Sequence, residues 1–388
     1  MKRIMTIVMA TVLALATCTA ASAKDIRIGI LSDLSGATSA VGAPYAEGIK
    51  AAVAYINESG GIGGDTLVYS QVDYAYNVQQ ALAAYKRFKS EGMVALQGWG
   101  TADTEALSKF VNKDKIPTWS ASYSANLTDP HEAPYNFFVA ADYSTQMRAA
   151  LKFLREGWKE ARAPKVAFIF PDHPYGLSPI QAGKDYAAEL GFEVVGQENV
   201  DLKAMDATTQ LLALQKLAPD FCWIGGTTPS TSVILKDAHK LSMTTTFFIN
   251  IWGNDEGLIT LAGAAAEGVY GLQGAAAYND DTPGSALIRE RTKGEPVMTH
   301  YLRGFASTLA MAEAMKIAAK NGKLDGPSIK AAAETLRDFD PMGLTPPISY
   351  FPDDHRATMS VNIYKVESGK LVKVASPMLE RKAEWLGK

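Results

Sequence analysis

The sequence predicts two α/β lobes in tandem, each a doubly wound parallel sheet covered by helices on both faces. Apolar runs of strand length alternate with amphipathic stretches of helix length over most of the chain, and such alternation implies parallel sheets with helical crossovers. The strand, loop, helix, turn and strand of Ile26 to Asp73 recur, at low identity, from Lys165 to Glu198. Setting aside an export segment of 23 residues leaves 365 of the 388, more than the roughly 250 to 300 residues at which a single hydrophobic core stops growing.

Residues Met1 to Ala23 carry Lys2 and Arg3, an apolar run from Ile4 to Ala16, and Ala21-Ser22-Ala23. Small residues then stand at the two positions a signal peptidase reads, so this segment is expected to be removed during export to the periplasm. Leu15-Ala16-Thr17-Cys18 approximates a lipid-attachment signal, but Thr17 fits that pattern poorly, and anchoring at Cys18 is not expected. The first strand spans 26 to 31 and runs into the loop Ser32-Asp33-Leu34-Ser35-Gly36, which continues to Gly42. In the helix that follows, Ile49, Val53 and Ile56 share one stripe. Gly60-Gly61-Ile62-Gly63-Gly64 then turns the chain into a second strand at 66 to 72. Further strands are expected at 93 to 97, 116 to 119, 165 to 170, 192 to 196, 220 to 224, 246 to 251 and 268 to 272. A long helix from Met298 to Lys320 repeats an apolar stripe through Tyr301, Phe305, Leu309, Ala312, Met315 and Ala319, and Asn321-Gly322 ends it. Met311 and Met315 read as ordinary core fillers. After a proline-rich crossing from Pro341 to Pro352 the chain closes with a hairpin, Ser360 to Val366 and Lys370 to Val374, turned at Ser368-Gly369.

Several function classes drop out. The chain beyond Ala23 has 36 basic against 41 acidic residues and no run of Lys or Arg, so neither nucleic acid nor a membrane surface is an expected partner. Beyond Ala23 no apolar stretch reaches the roughly 18 residues of a membrane span. Cys222 is the only cysteine past the export segment, which precludes an internal disulfide. His131, His173, His239, His300 and His355 are scattered, with no metal-binding spacing, no serine elbow and no phosphate-cradling loop. Neither a metal nor a cofactor is expected. The glycines at 60 to 64 follow a helix and precede a strand, the reverse of a dinucleotide fingerprint. Asp172-His173 lacks a nucleophile or second carboxylate. Binding without turnover remains.

Six segments in order carry a resemblance: Ile28-Gly29-Ile30 with Leu34-Ser35-Gly36, Asn57 to Gly64, Ile116-Pro117 with Ser120-Ala121-Ser122, Asp172 to Gly176, Pro219-Asp220 with Gly225-Gly226, and Leu261-Ala262-Gly263 followed by Ala266-Glu267-Gly268-Val269. In this order and spacing the chain resembles the periplasmic solute-binding proteins of the leucine/isoleucine/valine type. The resemblance implies the type I periplasmic binding fold, with three crossings near residues 142, 276 and 348. One lobe would be 24 to 142 with 277 to 347, the other 143 to 276 with 348 to 388. It further implies a monomer that closes on a small solute and presents it to the permease and ATPase subunits of an ABC importer.

In that family, loops corresponding to Gly98 to Thr104 and Ser120 to Ser124 hold the ligand carboxylate, which assigns Thr101, Ala102, Ser122 and Ser124 as donors. The first of these loops opens a helix, whose free amides attract an anion. Amino-acid binders of the family place an acidic residue where this chain has Ile251, followed by Trp252. The family's aromatic after Gly225-Gly226 is Thr227 here, while Tyr175 is retained. Burying an ammonium without a counter-charge is costly, so a carboxylate lacking the amine is expected, unless Asp255 replaces the missing acid. Trp99, Trp119, Tyr123, Tyr175 and Trp252 gather at strand ends on the expected cleft side and suit an aromatic acid, whereas Trp223, inside a strand, reads as core. The alternatives are a branched-chain amino-acid binder that uses Asp255 and, from another class, a sensory ligand-binding domain.

Overall fold

The computed structural model describes residues 23–388, so the export segment up to residue 22 lies outside the described residues. The first sheet begins with β1 (Asp25–Ser32), α1 (Ser39–Glu58), β2 (Thr66–Asp73), α2 (Val78–Ser90), β3 (Ala95–Gly98), α3 (Thr101–Asp114), β4 (Thr118–Ser120) and β5 (Asn136–Phe137). Its strands are all parallel, in the order β2-β1-β3-β4-β5.

The chain then passes to a second sheet through α4 (Tyr143–Gly157), β6 (Lys165–Phe170), the one-turn α5 (Pro174–Leu177), α6 (Ile180–Glu189), β7 (Glu193–Asn199), α7 (Thr208–Leu217) and β8 (Phe221–Ile224). It continues with α8 (Thr228–Lys240), β9 (Thr246–Ile249), α9 (Glu256–Ala262) and β10 (Tyr270–Gln273). Asp142 starts α4, its carboxylate accepting from Thr145 N at 2.8 Å and Thr145 Oγ1 at 2.6 Å, which satisfies donors that a helix start leaves free. Three helices follow: α10 (Pro283–Arg291), α11 (Thr299–Lys320) and α12 (Gly326–Ala333). Helix α11 packs along α1 and against α12, and the chain then returns to the second sheet as β11 (Asn362–Glu367) and β12 (Lys370–Ala375). That sheet has the order β12-β11-β10-β9-β8-β6-β7.

The alternation expected from sequence is present, with local differences. The terminal hairpin adds an antiparallel edge to the otherwise parallel second sheet, and Ser368 and Gly369, both at positive φ, make its two-residue turn. Strand β9 stops at Ile249 rather than at residue 251, because Asn250 Oδ1 accepts from the backbone of Trp252 and Gly253, each at 3.0 Å, a side-chain turn that competes with the ladder. The short β5 is absent from the sequence expectation; two residues are too few for a periodicity to register. Met311, Met315 and Trp223 lie in the core and Cys222 is buried, burial pushing its thiol well up.

Candidate functional site

The carboxyl ends of both sheets border one narrow cavity. On the first-sheet side its lining is Thr38, Val41, Tyr76, Trp99, Gly100, Thr101 and Ala121; on the other it is Tyr143, Tyr175, Thr227 and Trp252. Open parallel sheets bind ligands in such a place, since loops after the strands converge there.

The first wall is set by loop chemistry. Asp33, just past β1, accepts from Thr38 N at 2.8 Å and from Thr38 Oγ1 at 2.7 Å. Thr38 Oγ1 in turn accepts from Trp99 Nε1 at 2.8 Å, so a buried carboxylate orients the indole through one hydroxyl. Tyr76 reaches the cavity from two consecutive left-handed residues, Ala75 at φ 50° and Tyr76 at φ 58°. That conformation costs non-glycine residues about 1 kcal/mol or more each. Asp73 stabilises it by accepting from Ala75 N and Leu34 N, each at 3.0 Å, and from Ser35 Oγ at 2.7 Å.

Gly100 precedes α3, and a Cβ there would lie 2.3 Å from Asp103 Oδ1 and 2.4 Å from the Tyr76 ring. Only glycine fits. Asp103 accepts from Tyr74 Oη at 2.8 Å and from Gly100 N at 3.2 Å, yet burial, opposed by those bonds, raises its carboxyl to about 7. Between the ordinary value of 3.8 and about 7 the folded state keeps a proton that the unfolded chain has lost. The stability carried by this group therefore falls as pH rises through that window and is level above it. Asp103→Asn should gain on the wild type in melting temperature from pH 4 to pH 7; a difference that does not change with pH would refute this.

The second wall is tied down differently. Tyr175 Oη donates to Gly226 O at 3.0 Å and accepts from Asn250 Nδ2, which leaves its ring, not its hydroxyl, for the cavity. Thr227 Oγ1 is buried with no hydrogen-bond partner among the described residues. Trp252 reaches furthest across. Its ring meets Trp99 edge-on at 5.1 Å and lies parallel to Tyr123 at 5.7 Å, and its Nε1 donates to Tyr143 Oη at 2.9 Å. The mouth carries two further contacts between the walls, Tyr76 stacked on His173 at 5.2 Å and Ser124 Oγ to Ser178 Oγ at 2.8 Å. Burial lowers the His173 imidazole, which keeps it neutral against the ring.

Of the residues singled out from sequence, Trp99, Thr101, Tyr175, Thr227 and Trp252 line the cavity, and the rest stand apart from that lining. Ser122 Oγ donates to Thr101 Oγ1 at 2.9 Å, one step behind the wall. Ala102 lies in the first turn of α3, and Ser124 bonds Glu105 and Ser178 at the rim. Tyr123 backs Trp252, and the Ile251 side chain is buried beside it. Trp119 stacks on Phe137 at 5.0 Å inside the first sheet's core; strand alternation sends it to the face opposite its neighbours Thr118 and Ser120. Asp255 caps α9, accepting from Leu258 N at 3.0 Å, from His300 Nε2 at 2.8 Å and from Thr228 Oγ1. Its oxygens are already engaged. Sequence reasoning did not single out Thr38, Val41, Tyr76, Gly100, Ala121 or Tyr143; the run Asp73 to Asn77, polar and aromatic immediately after a strand, was the available signal for Tyr76. Among the described residues no cluster of three or more His, Cys, Asp or Glu has the arrangement of a metal site.

Comparison with known proteins adds ancestry to this geometry. The periplasmic binding protein family matches residues 25–370. The leucine-specific-binding protein of Salmonella typhimurium is 26% identical over 332 residues, 84% of this chain and 88% of that protein. Among solved structures, an ABC transporter substrate-binding protein of Aeropyrum pernix is 32% identical with a TM-score of 0.87, over 94% of this chain and 98% of its own. A branched-chain amino-acid ABC transporter protein of Thermus thermophilus with bound valine, 23% identical over 92% of this chain and 97% of its own, has a TM-score of 0.86. A fatty-acid ABC transporter substrate-binding protein of Thermomonospora curvata, 20% identical over 92% and 93%, reaches 0.84. The last two likenesses speak to fold.

Proposed function

The chain belongs to the periplasmic binding protein family, and we propose that it is the non-enzymatic solute-binding component of an ABC importer, working in the periplasm and capturing a small hydrophobic carboxylate. The lobes would be 24 to 142 with 277 to 347 and 143 to 276 with 348 to 388, closing over the solute so that the permease reads the closed form. One observation carries the ligand class: the cavity lining holds aromatic rings, hydroxyls and aliphatic groups but no carboxylate. An α-ammonium held there would lack a counter-charge, which is costly in a dry site, and Asp255 is occupied by His300, Thr228 and the α9 amide. The carboxylate would lie against Thr101, whose hydroxyl Ser122 orients from behind the wall, and the free amides that open α3, and the apolar part among Trp99, Tyr76, Tyr175 and Trp252, which favours a ring-bearing acid.

A second reading, a branched-chain amino acid, is favoured by the leucine-specific relative. Protein stripped of ligand by unfolding and refolding separates the two in a thermal-shift screen of benzoate, 4-methylpentanoate, octanoate, leucine and valine. A true ligand at a hundredfold excess over its Kd adds about 2.7 kcal/mol of stability, a shift on the order of 5 °C for a chain of this size. Shifts with the amine-free acids and none with leucine or valine are the expected pattern. Shifts with leucine or valine alone would overturn the carboxylate reading.

A further inference from the structure

Helix α11 carries a buried cation, Arg303, that makes no ion pair among the described residues. Arg303 is fully buried. It makes one hydrogen bond, from Nη2 to Ile251 O at 3.2 Å, and its Nε and Nη1 have no partner and no ion pair among the described residues. A guanidinium keeps its charge and offers five donors, so its burial here is costly until an anion arrives. Two hydroxyls stand close by: those of Tyr45 and Tyr123 are buried near each other, with Ser307 beside Tyr45, and neither makes a hydrogen bond of regular geometry among the described residues. Burial raises the Tyr45 phenol to about 12, an increase that Ser307, Arg303 and Tyr123 each temper. Of the carboxylates in the neighbouring loop, Asp255 is engaged by His300 and Thr228, while Glu256 accepts from Thr299 N at 3.0 Å through one oxygen and keeps the other, Oε1, buried without a partner among the described residues; it makes no ion pair with Arg303, whose charge only tempers the rise that burial gives its carboxyl. Beside Nε the chain has Gly274, where even a Cβ would lie 3.6 Å away. Between the guanidinium and the cavity stands Trp252, its ring centroid 4.4 Å from the Arg303 carbon. That indole is carried by the loop after β9 in the second sheet, while Arg303 rides on the helix packed along α1.

We propose that Arg303, with Tyr45 and Tyr123, is the charge-reading anchor for the carboxylate of the solute, shielded by Trp252 when no ligand is bound and reached as Trp252 withdraws. The inference rests on the reading above that the solute is a carboxylate and revises where that group sits, turning it from Thr101 and the α3 amides toward the guanidinium. Hydroxyls and amides at Thr101 and Ser122 accept a carboxamide almost as well as a carboxylate; a guanidinium does not.

The test uses two acid and amide pairs, benzoate with benzamide and 4-methylpentanoate with 4-methylpentanamide, on the full exported chain and its Arg303→Met and Arg303→Lys variants. Wild type should prefer each acid by about 30-fold, the worth of one or two charge-assisted bonds. Arg303→Met should bring that ratio below about 3 and Arg303→Lys should keep part of it. Ligand-free Arg303→Met should melt no more than about 2 °C below wild type and can melt above it, because an unpaired buried charge costs stability rather than supplying it. A preference that survives in Arg303→Met, or a ligand-free loss beyond about 5 °C, would mean that Arg303 merely braces the Ile251 carbonyl. Wild type that distinguishes no carboxylate from its amide overturns the inference outright. If leucine proves to be the ligand, the carboxylate reading falls by itself, and leucine against leucinamide then decides Arg303 by the same ratio.

Discussion

Gly304→Leu should leave no stable native protein, and Gly304→Ala should already cost about 3 kcal/mol, at the upper end for overpacked sites. The reason lies where α1 crosses α11. A Cβ on Gly304 would lie 2.1 Å from Tyr45 O, and one on Gly48 would lie 2.0 Å from Tyr301 O. The two contacts are reciprocal, each glycine facing the other helix's backbone, so no side chain is available to swing aside. Relief requires the helices to separate, which unpacks Tyr45, Ile49 and Phe305, all buried at this junction. It also displaces Tyr45 from the aromatic group it forms with Trp99 and Trp252 at 5.2 Å and 6.2 Å. Chemical denaturation of Gly304→Ala beside Gly157→Ala makes the comparison, because Gly157 ends α4 with nothing within 4 Å of its would-be Cβ. Equal and small losses in the two variants would show that the crossing tolerates a methyl group.

That crossing also marks where sequence reading ran short. Strand-length apolar runs and the turns between them locate both sheets, since period and turn chemistry are local properties. The residues at strand ends followed: Trp99 and Thr101 after β3, Tyr175 after β6, Thr227 after β8 and Trp252 after β9 all line the cavity. Sequence could not say which way a strand residue faces when three residues make the whole strand, and Trp119 turned into the core. Tyr76 depended on two left-handed residues held by Asp73, a long-range arrangement with no periodic signature. In α11 the expected stripe assumed one buried face. With α1 and α12 both packed on it, the helix is buried on further sides, and His300, Arg303 and Ser307 are buried as fully as Phe305. A polar residue inside an otherwise apolar buried helix looks, in sequence, like its solvent face.

Trp252→Ala should weaken solute binding by about 100-fold, and Trp223→Ala by less than about 3-fold, although both residues are buried tryptophans on neighbouring strands, Trp223 inside β8 and Trp252 just past β9. Trp223 stacks on Phe248 at 6.1 Å within the second sheet. Removing it leaves a core cavity worth about 3 to 5 kcal/mol of stability, with the cavity wall untouched. Trp252 is the one lining residue from the second wall whose ring reaches Trp99, Tyr45 and Tyr123 of the first. Its loss removes apolar area from the ligand, the bond to Tyr143 Oη and the contact that joins the walls, the setting in which single aromatic residues are worth 2 kcal/mol or more. It also uncovers Arg303, so the residual affinity of Trp252→Ala should depend more steeply on salt than that of the wild type, an exposed charge being screened where a covered one is not. Calorimetric titration of the two variants at low and high salt reads both effects. Equal losses from Trp223→Ala and Trp252→Ala would mean that affinity tracks global stability and that the indole is not a wall of the binding site.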